Sequence, residues 1–193
     1  MKTTLHFQRV PGWASSTLAD WGSVWAKIVN PSPGTNLGTP RLLVRHWTDD
    51  RDADYLRDGR AGGARFVADM ASAWARTPAT AYELANEPDV NSNEGLAALN
   101  AYTIGAIEEA ERRGLKLCVL NIAEGNPHDN DTGDDEVVRW KWAQLAPAVE
   151  RAIWGGHFVG LHSYWRPGIE GPTGRYHALG RRAWDIGVLR RLG

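Results

Sequence analysis

The sequence predicts an α/β fold, a (β/α)8 TIM-barrel of which about six of the eight βα units are present, and three observations carry that expectation. Short apolar runs alternate with amphipathic stretches along the chain, the pattern of parallel strands joined by crossover helices. The 193 residues divide into six units of about 32 residues, and eight such units come to about 257, near the ~250 of a whole barrel. The turn after the first run, Val10-Pro11-Gly12-Trp13, lacks the G-x-G-x-x-G of the competing architecture, an open doubly wound sheet. The chain therefore reads as one domain, 1–193, incomplete at its C-terminus, where Arg191-Leu192-Gly193 would lead into a seventh strand. Such a truncation is expected to leave the first and sixth strands as unpaired edges and to favour swapping or aggregation.

The elements follow in order. The run 3–8 is long enough for a buried strand, and 16–22 reads as a helix opened by Ser16 and closed by Gly22. A second apolar run, 25–29, leads into a Pro/Gly-rich loop between Asn30 and Pro40 in place of a crossover helix. The third strand, 42–47, precedes a short helix within 49–58 and a main helix over 63–76. Strand 81–85, helix 94–113, strand 116–122 and helix 135–154 repeat the alternation, which ends with strand 158–164 and helix 178–192.

Composition narrows the function. Hydrophobic residues are 42% and charged residues 23% of the chain, the balance of a folded globular protein. Twenty-two Lys and Arg against 23 Asp and Glu leave a net charge of −1, so neither nucleic acid nor an anionic membrane surface is the expected partner. The single cysteine, Cys118, cannot form an internal disulfide and lies in the apolar run Leu117-Cys118-Val119-Leu120, as a small buried hydrophobe would. No signal peptide or run of 18 apolar residues is visible, and the cellular location is left open. Ten tryptophans against three phenylalanines are an excess of flat indoles, which suits a sugar-binding cleft or simply a core.

Chemistry concentrates at two strand ends. Tyr82-Glu83-Leu84-Ala85-Asn86-Glu87-Pro88-Asp89 delivers Asn-Glu-Pro at the carboxyl end of the fourth strand, the end at which barrel active sites are built. Alternation puts Glu83, Ala85 and Glu87 on one strand face, with Glu87 at the mouth and Glu83 below. Gly160-Leu161-His162-Ser163-Tyr164-Trp165 places His162 and Tyr164 on one face at the end of the sixth. These motifs resemble the retaining glycosidases of the large (β/α)8 clan that includes cellulases, mannanases, xylanases and β-glucosidases. In that clan an Asn-Glu pair, often followed by Pro, closes the fourth strand, and a His-x-Tyr often closes the sixth. The resemblance spans the chain and rests on these two short motifs. It implies that Glu87 is the general acid/base and that Asn86 bonds the sugar 2-hydroxyl. It further implies that Tyr164 contacts the nucleophilic carboxylate and that His162 shapes the donor subsite. The residue types suit the reaction: a carboxylic acid protonates the leaving oxygen and then, as carboxylate, activates water.

Other residues are read as supporting. The third strand ends Leu43-Val44-Arg45-His46-Trp47; a buried Arg45 needs a carboxylate, and Glu83 on the adjacent strand is the expected partner. Trp47 and Trp165 follow strand ends and could serve as platforms for pyranose faces or belong to the core, and His6 and Gln8 could line the mouth. A retaining mechanism needs a second carboxylate about 5 Å from the first. The resemblance places that nucleophile on a seventh strand, beyond residue 193, so the chain alone is expected to be inert. Glu124, after the fifth strand, reads as a substrate contact rather than a substitute, and Glu170 is a weaker candidate still. No cofactor is implied, and the parent enzyme is expected to be a monomer acting on a β-linked oligo- or polysaccharide. Two alternatives remain: a non-catalytic carbohydrate-binding barrel, and a metal-dependent hydrolase using His6, His46 and His162. The acidic loop 128–136 fails the register of a calcium-binding hand and reads as a solvated entry to a helix.

Overall fold

The computed structural model describes residues 4–7, 25–35, 41–48, 51–123, 126 and 135–162, with backbone alone at 4–7 and 135. Its strands are β1 (Thr4–Phe7), β2 (Trp25–Val29), β3 (Leu42–Arg45), β4 (Ala81–Glu83), β5 (Leu117–Ile122) and β6 (Phe158–Leu161). The described helices are α1 (Asp52–Arg57), α2 (Gly59–Ala75), α3 (Asn93–Arg112) and α4 (Asp135–Trp154). All adjacent strands pair in parallel, and the sheet runs β1-β2-β3-β4-β5-β6.

This architecture corrects the fold expected from sequence. The protein is an α/β half-barrel, one open parallel sheet backed by helices, and not a near-complete eight-unit TIM-barrel. Alternation and repeat length are local properties that dictate parallel neighbours in chain order. Closure requires the first and last strands to meet, and no local pattern encodes that. Here β1 and β6 stand at opposite ends of the strand order.

The sheet is nevertheless strongly curled. In a flat sheet β2 and β6 would lie four strand spacings apart, about 19 Å. Instead Trp25 on β2 meets Phe158 on β6 edge-to-face with centroids 5.0 Å apart, and Lys27 Nζ lies 3.4 Å from His162 Nε2. The concave face thus gathers residues from non-neighbouring strands.

The convex face carries the core. Ala26, Ile28, Val44, Tyr82, Leu117 and Val119 are buried toward the helices, which contribute Phe66, Trp74, Tyr102, Ile107, Trp142 and Leu145. Tyr82 stacks on Trp74 at 4.6 Å. Helices α2 and α3 approach backbone to backbone. A Cβ on Gly63 would lie 1.9 Å from the Tyr102 carbonyl oxygen, and one on Gly105 would lie 2.0 Å from that of Arg60. Helix α3 starts where Ser92 Oγ accepts the Gly95 amide at 3.0 Å, with Asp89 accepting from Ser92 Oγ in turn at 2.7 Å.

Candidate functional site

The site lies at the carboxyl end of β4, where regular pairing stops. Strand β4 ends at Glu83, and the chain runs on through buried Leu84 and Ala85 to Asn86 and Glu87. The alternation expected to put Glu83, Ala85 and Glu87 on one face does not extend that far. Glu87 adopts φ +47°, the left-handed region that costs a side-chain-bearing residue about 1–2 kcal/mol. Neighbouring structure holds that strained turn. The Glu87 amide donates to the Asn121 carbonyl at 3.1 Å, and Asn121 Nδ2 donates to the Ala85 carbonyl at 3.2 Å.

Asn121 can make both contacts because β5 bulges there. Its register against β6 shifts between Val119 and Ile122, and Leu120 and Asn121 both have positive φ, +69° and +43°. Gly160 on β6 leaves room for the amide, since a Cβ there would lie 2.1 Å from Asn121 Oδ1.

Asn86 is oriented from two sides. Arg45 Nη1 donates to its side-chain oxygen at 2.7 Å, which turns the amide nitrogen into the group it presents. Its backbone N–H donates to Asp52 Oδ2 at 3.3 Å, and Asp52 is itself held by the Thr48 hydroxyl. Glu87 Oε1 lies 3.0 Å from Nδ1 of His162, just past β6. On its other side the imidazole reaches Glu83, whose Oε1 is 3.5 Å from Nε2.

Among the described residues Glu83 is the most enclosed charge, its side chain only 1% exposed. Lys27 Nζ binds both its oxygens, at 2.7 and 2.6 Å. Burial opposes ionisation of Glu83, but the neighbouring His162 and the charge and hydrogen bond of Lys27 outweigh it, holding the carboxyl below its ordinary 4.5. Beneath these groups is a cavity of about 280 Å³ whose lining includes Trp25, Lys27, Glu83, Asn121, Phe158 and His162. Cys118 also lines it, a thiol that burial and the nearby Glu83 charge push far above its ordinary value.

The structure thus brings Arg45, Glu83, Asn86, Glu87 and His162 into one connected cluster. One expected pairing is corrected: Glu83 is neutralised by Lys27, and Arg45 holds Asn86 instead. Curling sets β2 across the concave face from β4, so the compact ammonium of Lys27 fits the enclosed layer while half-buried Arg45 extends to the mouth. Trp47, two residues beyond β3, is 61% exposed, and its backbone amide donates to Asn30 Oδ1 at 2.8 Å. His46 takes no part in these contacts. Its Nε2 is buried without a hydrogen-bond partner among the described residues, and burial and then Arg76 lower its pKa from 6.5. The β1 backbone pairs His6 with Lys27 in register. Gln8, Glu124, Tyr164, Trp165 and Glu170 lie outside the described residues, as do the helices expected over 16–22 and 178–192.

Sequence reasoning missed Lys27, Asp52 and Asn121. Two had a signal, a lone polar residue inside an otherwise apolar strand in Trp25-Ala26-Lys27-Ile28-Val29 and Leu117-Cys118-Val119-Leu120-Asn121-Ile122. Asp52 had none, being one of several acids near a helix start. Among the described residues no group of three or more His, Cys, Asp or Glu is placed to hold a metal ion. Neither the protein-family models nor the curated proteins contain a match to this chain.

Proposed function

We propose that this chain carries the acid/base half of a retaining glycoside-hydrolase site acting on a β-linked oligo- or polysaccharide. The observation that supports the reading most is the pairing of Glu87 with Asn86 at one strand end: a partly exposed carboxyl held at Oε1 by His162, beside an amide whose oxygen is taken by Arg45. Glu87 then protonates the glycosidic oxygen as the C1–O bond breaks, and later removes a proton from the water that releases the sugar. The Asn86 amide nitrogen donates to the 2-hydroxyl as charge develops on the ring. Glu83 does not serve as the nucleophile in this scheme, because both its oxygens are committed to Lys27. The attacking carboxylate comes from outside the described residues.

The test is cleavage of aryl β-glycosides of graded leaving-group acidity, with and without formate or azide as an external nucleophile. Cleavage is expected when formate or azide supplies the nucleophile, and Glu87→Gln should lower it roughly 10²–10⁴-fold for poor leaving groups while sparing dinitrophenyl glycosides. Equal rates in wild type and Glu87→Gln, or no cleavage under either condition, would overturn the reading. The exposed Trp47 favours a second one, a carbohydrate-binding protein, which saccharide binding without any cleavage would select.

A further inference from the structure

The acid/base reading of Glu87 leaves open what fixes the proton on the histidine beside it. His162 has Glu87 Oε1 3.0 Å from Nδ1, and Lys27 Nζ and Glu83 Oε1 3.4 and 3.5 Å from Nε2. Among the described residues, those are the charged groups that face the ring from β2, from β4 and from the segment after β4. The Cys118 thiol of β5 shares the cavity and stays protonated.

Counting donors decides between the tautomers. Lys27 has three N–H bonds and is buried. Two go to the Glu83 oxygens, and among the described residues the remaining acceptor in reach is Nε2 of His162. A proton on Nε2 would point one donor at another and leave a buried Lys27 N–H unpaired. With Nε2 as a lone pair, the neutral ring carries its proton on Nδ1, facing Glu87. From this geometry we infer that Lys27, anchored by Glu83, is a positioning residue that selects the Nδ1–H form of His162 and so makes it a donor to Glu87. The inference rests on the acid/base reading for its purpose, but not for its test. A donor at Nδ1 orients the carboxylate for the water-activating half of the reaction, whereas a bare Nδ1 would take a hydrogen bond from a protonated Glu87.

The experiment is ¹⁵N NMR of the imidazole nitrogens in the full chain at neutral pH, with His162→Gln to assign the signals. Wild type is expected to give a protonated Nδ1 and a lone-pair Nε2. In Lys27→Met, read at about pH 9, where protonating Glu83 would cost more than leaving it charged, the two should exchange, as Nε2–H turns to the Glu83 carboxylate; in Lys27→Arg, which still offers donors, the wild-type pattern should return. A wild-type Nε2 that carries the proton, or a Lys27→Met spectrum with the pattern unchanged, would overturn the inference. Should Lys27→Met not fold, the wild-type and Lys27→Arg spectra decide. The readout needs no substrate, so the expected pattern without glycoside cleavage sinks only the functional reading.

Discussion

Removing Lys27 gives the sharpest thermodynamic prediction. In Lys27→Met, Glu83 keeps a side chain 1% exposed but loses both contacts to the ammonium, leaving His162 at 3.5 Å as its nearest charge partner among the described residues. An unpaired buried charge costs about 3–5 kcal/mol, and the cheapest escape is to take up a proton. At pH 7 that means protonating a carboxyl whose ordinary value is 4.5, two and a half units at about 1.36 kcal/mol each, or about 3.4 kcal/mol. Against a total stability of about 5–15 kcal/mol the loss is large yet survivable. It should also depend on pH. Glu83 titrates below 4.5 in the folded protein, so its contribution is present above that pH and lost as pH falls through the folded value. The variant's protonation cost shrinks to about 0.7 kcal/mol at pH 5, so the two proteins should converge there. Urea unfolding at pH 7 and pH 5 measures both, and Lys27→Met/Glu83→Leu, which removes both charges, should recover most of the loss. A loss below about 1 kcal/mol at pH 7, or an equal loss at both pH values, would refute the reasoning.

Three further outcomes follow from close contacts and backbone strain. Gly63→Ala places a Cβ 1.9 Å from the Tyr102 carbonyl oxygen, so α2 and α3 must part; urea unfolding should show a loss of at least about 2 kcal/mol, and an unchanged midpoint would mean the helices do not touch there. Glu87→Gly should be more stable than Glu87→Ala by about 1 kcal/mol, because only glycine is at ease at φ +47°; the opposite order would deny the left-handed turn. Gly160→Ala pushes on Asn121 Oδ1 and should cost about 1–3 kcal/mol by breaking the Asn121 bonds to Ala85 and Cys118. A smaller loss on an Asn121→Ala background, measured as a double-mutant cycle, would confirm that route, and strict additivity would exclude it.

The strands and helices were legible because each one repeats its pattern locally. Strand 25–29 and helix 135–154 form with the boundaries their apolar spacing predicts, and the other described elements begin or end within a few residues of expectation. Parallel order was legible for the same reason, since a helix between two strands carries the chain back to the starting edge. What failed was the near-complete eight-unit barrel, because eight-fold repetition was extrapolated from unit length, and unit length constrains each neighbour without constraining the sheet as a whole.

The site divides along the same line. Asn86, Glu87 and His162 were visible because their residue types sit where parallel strands end, and sequence order alone delivers strand ends to one side of a sheet. The pairing of Glu83 was not, because partners assigned from adjacent strands presuppose a flat sheet. The register does set Ala81 level with Leu43, and hence Glu83 two residues on beside Arg45, so the adjacent-strand argument was sound as far as it went. Curvature adds a neighbour that register cannot see, bringing Lys27 of β2 across the concave face. An enclosed carboxylate is better served by a compact ammonium than by a guanidinium that must spread five donors. Arg45 is thereby left to hold Asn86, and the same curvature that overturns the expected ion pair connects the buried charge, through His162, to the carboxylate at the mouth.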